Sequence, residues 1–200
     1  MLSPDLFLVF IAAVLQFGGI FWYIRRTLKD LTKPNKVSWL MWGLPPIIAA
    51  IAAFADGARW EVLPVFFSGF VSILVCIAAL TNRRSYWKLG SFDYLCGVFS
   101  LLALILWAIV KDPNIAIICA ICSDIFASIP TFQKFWQHPG SDAITPFVTG
   151  LFATTMSFFM IDTWHFSSYA FPTYLVVMNT GLIFAFQRHK FFPKKTAALK

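Results

Sequence analysis

The feature that most limits what this chain can fold into is how little lies between its apolar runs. Seven can be marked, at 4–24, 38–56, 62–81, 91–110, 114–133, 144–161 and 168–187. Each comes close to the roughly 20 residues a helix needs to cross the hydrocarbon core of a bilayer. In lipid a segment must satisfy its own backbone N–H and C=O groups, so continuous apolar runs of this length imply helices. Only 12% of residues are charged and 59% are hydrophobic, against about 25% charged in an ordinary soluble domain. The expected class is therefore all-α, a polytopic membrane protein with seven transmembrane helices, the lipid bilayer as its surroundings and no room for a second, soluble domain.

The first run could be read as a secretory signal, but the order of charges is wrong for one. Met1-Leu2-Ser3-Pro4-Asp5 holds no basic residue, and Arg25-Arg26 follows the apolar run instead of preceding it. A retained first helix is expected. The net charge of +7 raises nucleic acid as a partner, so the placement of the basic residues matters. Assigning connections to alternate sides collects Arg25, Arg26, Lys29, Lys33, Lys36, Arg83, Arg84, Lys88, Lys134, Arg188, Lys190, Lys194, Lys195 and Lys200 on one side and leaves Arg59 and Lys111 on the other, 14 against 2. An excess of Lys and Arg marks cytoplasmic connections. This predicts an inner cell membrane protein with its N-terminus outside and its C-terminus in the cytoplasm, whose basic residues set topology and bind no nucleic acid.

Tryptophans gather near the ends of the runs, at Trp22, Trp39, Trp42, Trp60, Trp87, Trp136 and Trp164, as an interfacial belt would. Cys76, Cys96, Cys119 and Cys122 fall inside apolar runs and read as small hydrophobes at helix interfaces. Cys119 and Cys122 form a C-x2-C pair without a second pair of ligands, so no metal is expected.

Spacing suggests an internal repeat. The second and third runs begin at 38 and 62, the sixth and seventh at 144 and 168, an offset of 106 in each case. Lys29, Pro34 and Arg83 correspond to Lys134, Pro139 and Arg188 at an offset of 105. Two three-helix units joined by the fourth helix would run in the same direction across the membrane, as parallel repeats do. The division expected is 1–90 for the first bundle, 91–111 for the linker helix, 112–190 for the second bundle and 191–200 for a basic cytoplasmic tail.

The stretch from Ser128-Ile129-Pro130 through Lys134 to Pro139-Gly140-Ser141-Asp142 resembles the end of a first bundle helix in the SWEET and PQ-loop superfamily of transporters. That resemblance implies hinges at prolines of the first two helices of each bundle, matched here by Pro45 (with Pro46 beside it), Pro130 and Pro146; the fourth place falls near Arg25. It also implies a solute-facing asparagine on the third helix of a bundle, which Asn179 resembles, with Ser68 or Ser72 the nearest polar candidate in the first bundle.

Asp124 is the acidic residue deepest in a run. A carboxylate at the bilayer centre costs on the order of 2.5–3.5 kcal/mol on insertion scales, so it is expected to be protonated or to face a wet cavity. Ser128 lies one turn away on the same helical face, and Ser123 adjoins Asp124. Asp124, Asn179, Ser123, Ser128 and Ser72 are thus the candidate solute-binding residues. Trp39, Trp42 and Trp107 could stack on a solute or gate a pore, although belt packing is the commoner role.

Catalytic chemistry is not expected. His138, His165 and His189 lie in connections, no lysine precedes Lys190 in the seventh run, and no hydrolase, zinc or phosphate-loop motif occurs. No cofactor is implied. The reading is a carrier of a small polar solute, sugar-like or similar, by alternating access and with Asp124 as a site for proton coupling. A vitamin or nucleoside carrier resembling the PnuC type, with Trp39-Leu40-Met41-Trp42 as its echo, and a non-transporting receptor or scaffold of the PQ-loop type are the alternatives. A homo-oligomer is compatible with all three.

Overall fold

In the computed structural model, residues 4–82, 88–110, 112–138 and 142–191 are described, and among them there is helix but no strand. Arg83, Arg84, Trp87, Lys111, Pro139, Gly140, Ser141 and the tail from 192, with Lys194, Lys195 and Lys200, lie outside the described residues, as does the side chain of Trp107. The helices are α1 (Pro4–Leu28), α2 (Lys36–Met41), α3 (Leu44–Ala55), α4 (Leu63–Thr81), α5 (Ser91–Ile109), α6 (Pro113–Gln137), α7 (Thr145–Phe158) and α8 (Phe166–Phe191), with a 3-10 turn at Trp60–Val62 leading into α4. Because α2 and α3 follow one another across the turn at Trp42 and Gly43, the helices form seven segments that match the seven apolar runs.

Five segments are long and apolar enough to cross a membrane: Pro4–Leu28, Lys36–Ala55, Trp60–Thr81, Pro113–Gln137 and Phe166–Arg188. Large apolar side chains such as Phe10, Phe21, Phe54, Ile77, Leu80, Ile109 and Val177 are more than half exposed. An apolar exterior of this extent is compatible with lipid and not with water. The sixth segment is shorter than its run of 144–161. Helix α7 has 14 residues, about 21 Å at about 1.5 Å per residue, because Phe159 and Met160 already turn the chain toward Asp162.

Local sequence explains the helix starts. Asn35 caps α2 by accepting from the N–H groups of Val37 and Ser38, and Asp112 caps α6 through Asn114 and Ile115. Pro45, Pro64, Pro113 and Pro146 sit in first turns, where a missing N–H costs no intrahelical bond.

Packing follows one pattern twice. Helix α4 packs against both α1 and α3, and α8 packs against both α6 and α7. Helix α1 lies against α7, and α3 lies against α6; α4 also meets α7, and α3 meets α8. Helix α5 sits outside this set, against α6 and α2. Glycines permit the closest approaches: a Cβ at Gly19 of α1 would stand 2.2 Å from the Thr149 hydroxyl of α7, and one at Gly69 of α4 would stand 2.7 Å from the Gly43 carbonyl. Equivalent helices do not keep one spacing. Their starts, Pro4 and Pro113, Leu44 and Thr145, Leu63 and Phe166, lie 109, 101 and 103 residues apart, because α2 lengthens the first connection.

Side-chain bonds gather one set of helix ends. Asn82 after α4 donates to the Thr27 carbonyl of α1 and to Asp30 (2.9 and 2.8 Å). Asn35 before α2 donates to Asp93 at the start of α5 (2.6 Å). The guanidinium of Arg188 in α8 donates to the Trp136 carbonyl of α6. These ends carry Arg25, Arg26, Lys33, Lys36, Lys134 and Arg188, whereas Arg59 precedes the 3-10 turn at the opposite end.

Candidate functional site

Between the two sets of helices lies a cavity offering about 60 Å³ to the centres of water molecules. Its walls come from α1 (Gln16, Ile20), α2 and α3 (Trp39, Trp42, Pro46), α4 (Ser68, Val71, Ser72), α6 (Asp124), α7 (Pro146, Phe147, Thr149, Gly150, Thr154) and α8 (Leu175, Met178, Asn179). Three of the five residues singled out from sequence, Asp124, Asn179 and Ser72, therefore meet in one place. Ser123 is fully buried and Ser128 is nearly so, but neither lines the cavity.

Asp124 is 1% exposed. Its Oδ2 accepts a hydrogen bond from the Tyr174 hydroxyl of α8 at 2.7 Å, while its Oδ1 has no partner among the described residues. Ser128 supports this pair from behind. Its hydroxyl donates to the Asp124 carbonyl (2.8 Å) and accepts the indole N–H of Trp42 (3.0 Å). Ser128 is thus a structural link from α2 to α6 rather than part of the cavity wall.

Asn179 donates to the Leu175 carbonyl one turn earlier (2.8 Å), which leaves its side-chain oxygen toward Gly150 of α7. Ser72 donates to the Ser68 carbonyl (2.7 Å). Opposite, Gln16 of α1 is 2% exposed; it donates to the Pro64 carbonyl (2.8 Å) and its Oε1 has no partner among the described residues. Gln16 and Tyr174 are functional candidates that the sequence reading missed. The signal for Gln16 was present, an amide at the middle of the first apolar run. Tyr174 also lies well inside its run, away from the interface where tyrosine is ordinary.

The tryptophans divide. Trp22, Trp60, Trp136 and Trp164 stay exposed, as a belt requires, but Trp39 and Trp42 are 4% exposed and line the cavity. They correct the belt reading for that pair. With Tyr23, Phe135 and Phe147 they form a block of rings: Tyr23 to Trp39 5.3 Å, Trp39 to Trp42 5.2 Å, Trp42 to Phe147 5.8 Å and Phe147 to Phe135 5.3 Å between centroids. This block lies between the cavity and the basic helix ends.

Beyond the rings sits a buried ion pair. Lys134 of α6 pairs with Asp142, their side chains 1% and 4% exposed; the ammonium also reaches the Lys33 carbonyl before α2. The Tyr23 hydroxyl of α1 donates to the other Asp142 oxygen at 2.7 Å. Four chain segments thus converge on one ion pair.

Among the proline positions, Pro45 and Pro146 occupy first turns of α3 and α7, and Pro130 lies within α6. Pro172 interrupts α8 two residues before Tyr174, so prolines flank the Asp124–Tyr174 bond on both helices. Among the described residues no group of acids, histidines and cysteines has the arrangement of a metal site; Cys119 is buried and Cys122 lies on an exposed face. Compared with protein-family models, curated proteins and solved structures, the chain matches none.

Proposed function

We propose that this chain is a membrane carrier that moves a small polar solute by alternating access between two parallel three-helix units, α1 to α4 and α6 to α8, with α5 as the linker. The observation that carries the proposal is the cavity between the units, walled by both and lined by Gln16 and Asp124, each of which has a buried side-chain oxygen without a partner among the described residues. Buried polar groups in a membrane interior are costly unless solvated or bound, and in transporters they mark solute paths.

The packing supports the two-unit reading. Exchanging α1 with α6, α3 with α7 and α4 with α8 maps the described contacts among these six helices onto one another, the contacts of α2 and α5 falling outside the pattern, as a two-fold axis along the membrane normal relating the two units would have it. The proposed family is accordingly the SWEET and PQ-loop superfamily. Clustering of basic residues at one set of ends supports a cytoplasmic location for that face and for the C-terminus. On this reading the ring block and the Lys134–Asp142 pair close the cavity on the cytoplasmic side, and breaking them is what opening inward entails.

Uptake into proteoliposomes over a panel of small solutes, with an internal pH dye, tests the proposal. Flux of at least one solute is expected, and Asp124→Asn should abolish proton movement accompanying it. Failure of every solute removes the carrier reading and favours a receptor; unchanged proton movement in Asp124→Asn removes the coupling role.

A further inference from the structure

The cavity has a hydrogen-bonding bias that narrows its ligand, an inference that rests on reading this cavity as the solute site. Its hydroxyls have committed their protons to backbone: Ser68 to the Val65 carbonyl (2.7 Å), Ser72 to that of Ser68, Thr149 to that of Thr145 (3.0 Å) and Thr154 to that of Gly150 (2.8 Å). Each retains only lone pairs for a ligand. The Trp42 N–H is held by Ser128. Gln16 and Asn179 each give an N–H to a carbonyl, Pro64 and Leu175. Because a carbonyl can only accept, the orientation of both amides is fixed, and each has one N–H to spare.

Set against those two neutral donors are the oxygens of Asp124 and Gln16 that have no partner among the described residues, the Asn179 oxygen and four hydroxyl oxygens. Among the described residues, the single ionisable group in the wall is a carboxylate, and no lysine, arginine or histidine lines it. The faces of Trp39, Trp42 and Phe147 complete the lining, and aromatic faces attract cations. A ligand that fits must donate several hydrogen bonds and tolerate or neutralise a negative charge. A solute carboxylate would meet Asp124 without any cation to offset it.

Size adds a limit. A space of about 60 Å³ for the centres of water molecules admits several waters and a solute of a few non-hydrogen atoms.

We infer that the cavity takes a small organic cation bearing a primary ammonium, in preference to a zwitterion or a neutral polyol. The ammonium supplies three donors and one positive charge to a wall in which acceptors outnumber donors and, among the described residues, no cation stands. A site built around hydrogen-bonding groups rejects analogues that leave those groups unpaired.

The test is equilibrium binding of radiolabelled ethanolamine to the purified full chain, with competition by unlabelled ethanolamine, ethylene glycol, glycine and glucose. Ethylene glycol replaces the ammonium by hydroxyl, and glycine adds a carboxylate at the same size. Ethanolamine should compete at a concentration at least about 10-fold lower than any of the others. Asp124→Asn should weaken it by about 10-fold or more and Gln16→Leu by several-fold, each in protein that elutes as wild type does. Should Asp124→Asn not yield such protein, Gln16→Leu carries the test. Equal or better competition by the glycol, glycine or glucose, absence of saturable ethanolamine binding, or indifference to the substitutions overturns the inference. Ethanolamine binding without uptake leaves it standing and removes the carrier reading; glucose uptake without ethanolamine binding does the reverse.

Discussion

Tyr174 holds one oxygen of Asp124 and leaves the other without a partner among the described residues, so the role of the carboxylate depends on a residue fifty positions away. Tyr174→Phe would leave the second oxygen unpartnered as well. Stranding a buried acceptor costs about 1–3 kcal/mol, and thermal unfolding in detergent should show a lowered midpoint of that order. Asp142 is a harsher case. Asp142→Ala leaves the Lys134 ammonium buried without its counter-ion, and breaking a buried pair costs about 3–5 kcal/mol. The double variant Asp142→Ala with Lys134→Met should recover much of that loss, which a cycle of unfolding measurements would resolve. Asp124 could be picked out from the sequence because a carboxylate in an apolar run is conspicuous. Tyr174 and Gln16 carry a weaker signal, an uncharged polar group inside an apolar run, which does not say what either meets until its neighbours are known. For Lys134 and Asp142 the sequence offered only a basic residue near a helix end and an acid in a turn; their pairing is seen only in the tertiary structure.

At the scale of elements, close approach decides more than hydrophobicity. Helix α1 can lie against α7 because Gly19 leaves room for Thr149. Gly19→Val would put a branched side chain where even one Cβ stands 2.2 Å from that hydroxyl. Overpacking of this kind typically costs about 1–3 kcal/mol; lower thermal stability and reduced solute uptake are expected together, since α1 and α7 both wall the cavity. The apolar runs located all seven segments, with ends correct to within a few residues. They did not disclose α2, six residues capped by Asn35, because Trp39-Leu40-Met41-Trp42 continues the apolar run and hides the turn at Gly43. Nor did they disclose how short α7 is. Its threonines, bonded to their own backbone at Thr149, Thr154 and Thr155, suit a helix surrounded by protein.

For the whole molecule, the arrangement of ends gives a direct test of orientation. In a background without native cysteines, Arg59→Cys should react with a membrane-impermeant maleimide on intact cells. Lys33→Cys should react only after permeabilisation, since the positive-rich face is the one expected on the cytoplasmic side. Labelling in the opposite sense would invert the topology. Hydropathy and charge count suffice for that expectation, because both depend on position along the chain alone: each crossing reverses the side, and lipid penalises any segment that keeps its backbone unsatisfied. These same terms determined the helical class and the number of apolar segments. They are blind to which helices touch. That α4 and α8 each lie between two partners, that α1 meets α7, and that Gln16, Ser72, Asp124 and Asn179 share one cavity were decided only in the tertiary structure. Lipid is as apolar as the helix faces, so the pattern of apolar residues carries no preference among neighbours. The choice falls to glycine gaps, buried hydrogen bonds and one ion pair, each formed between residues far apart in the chain.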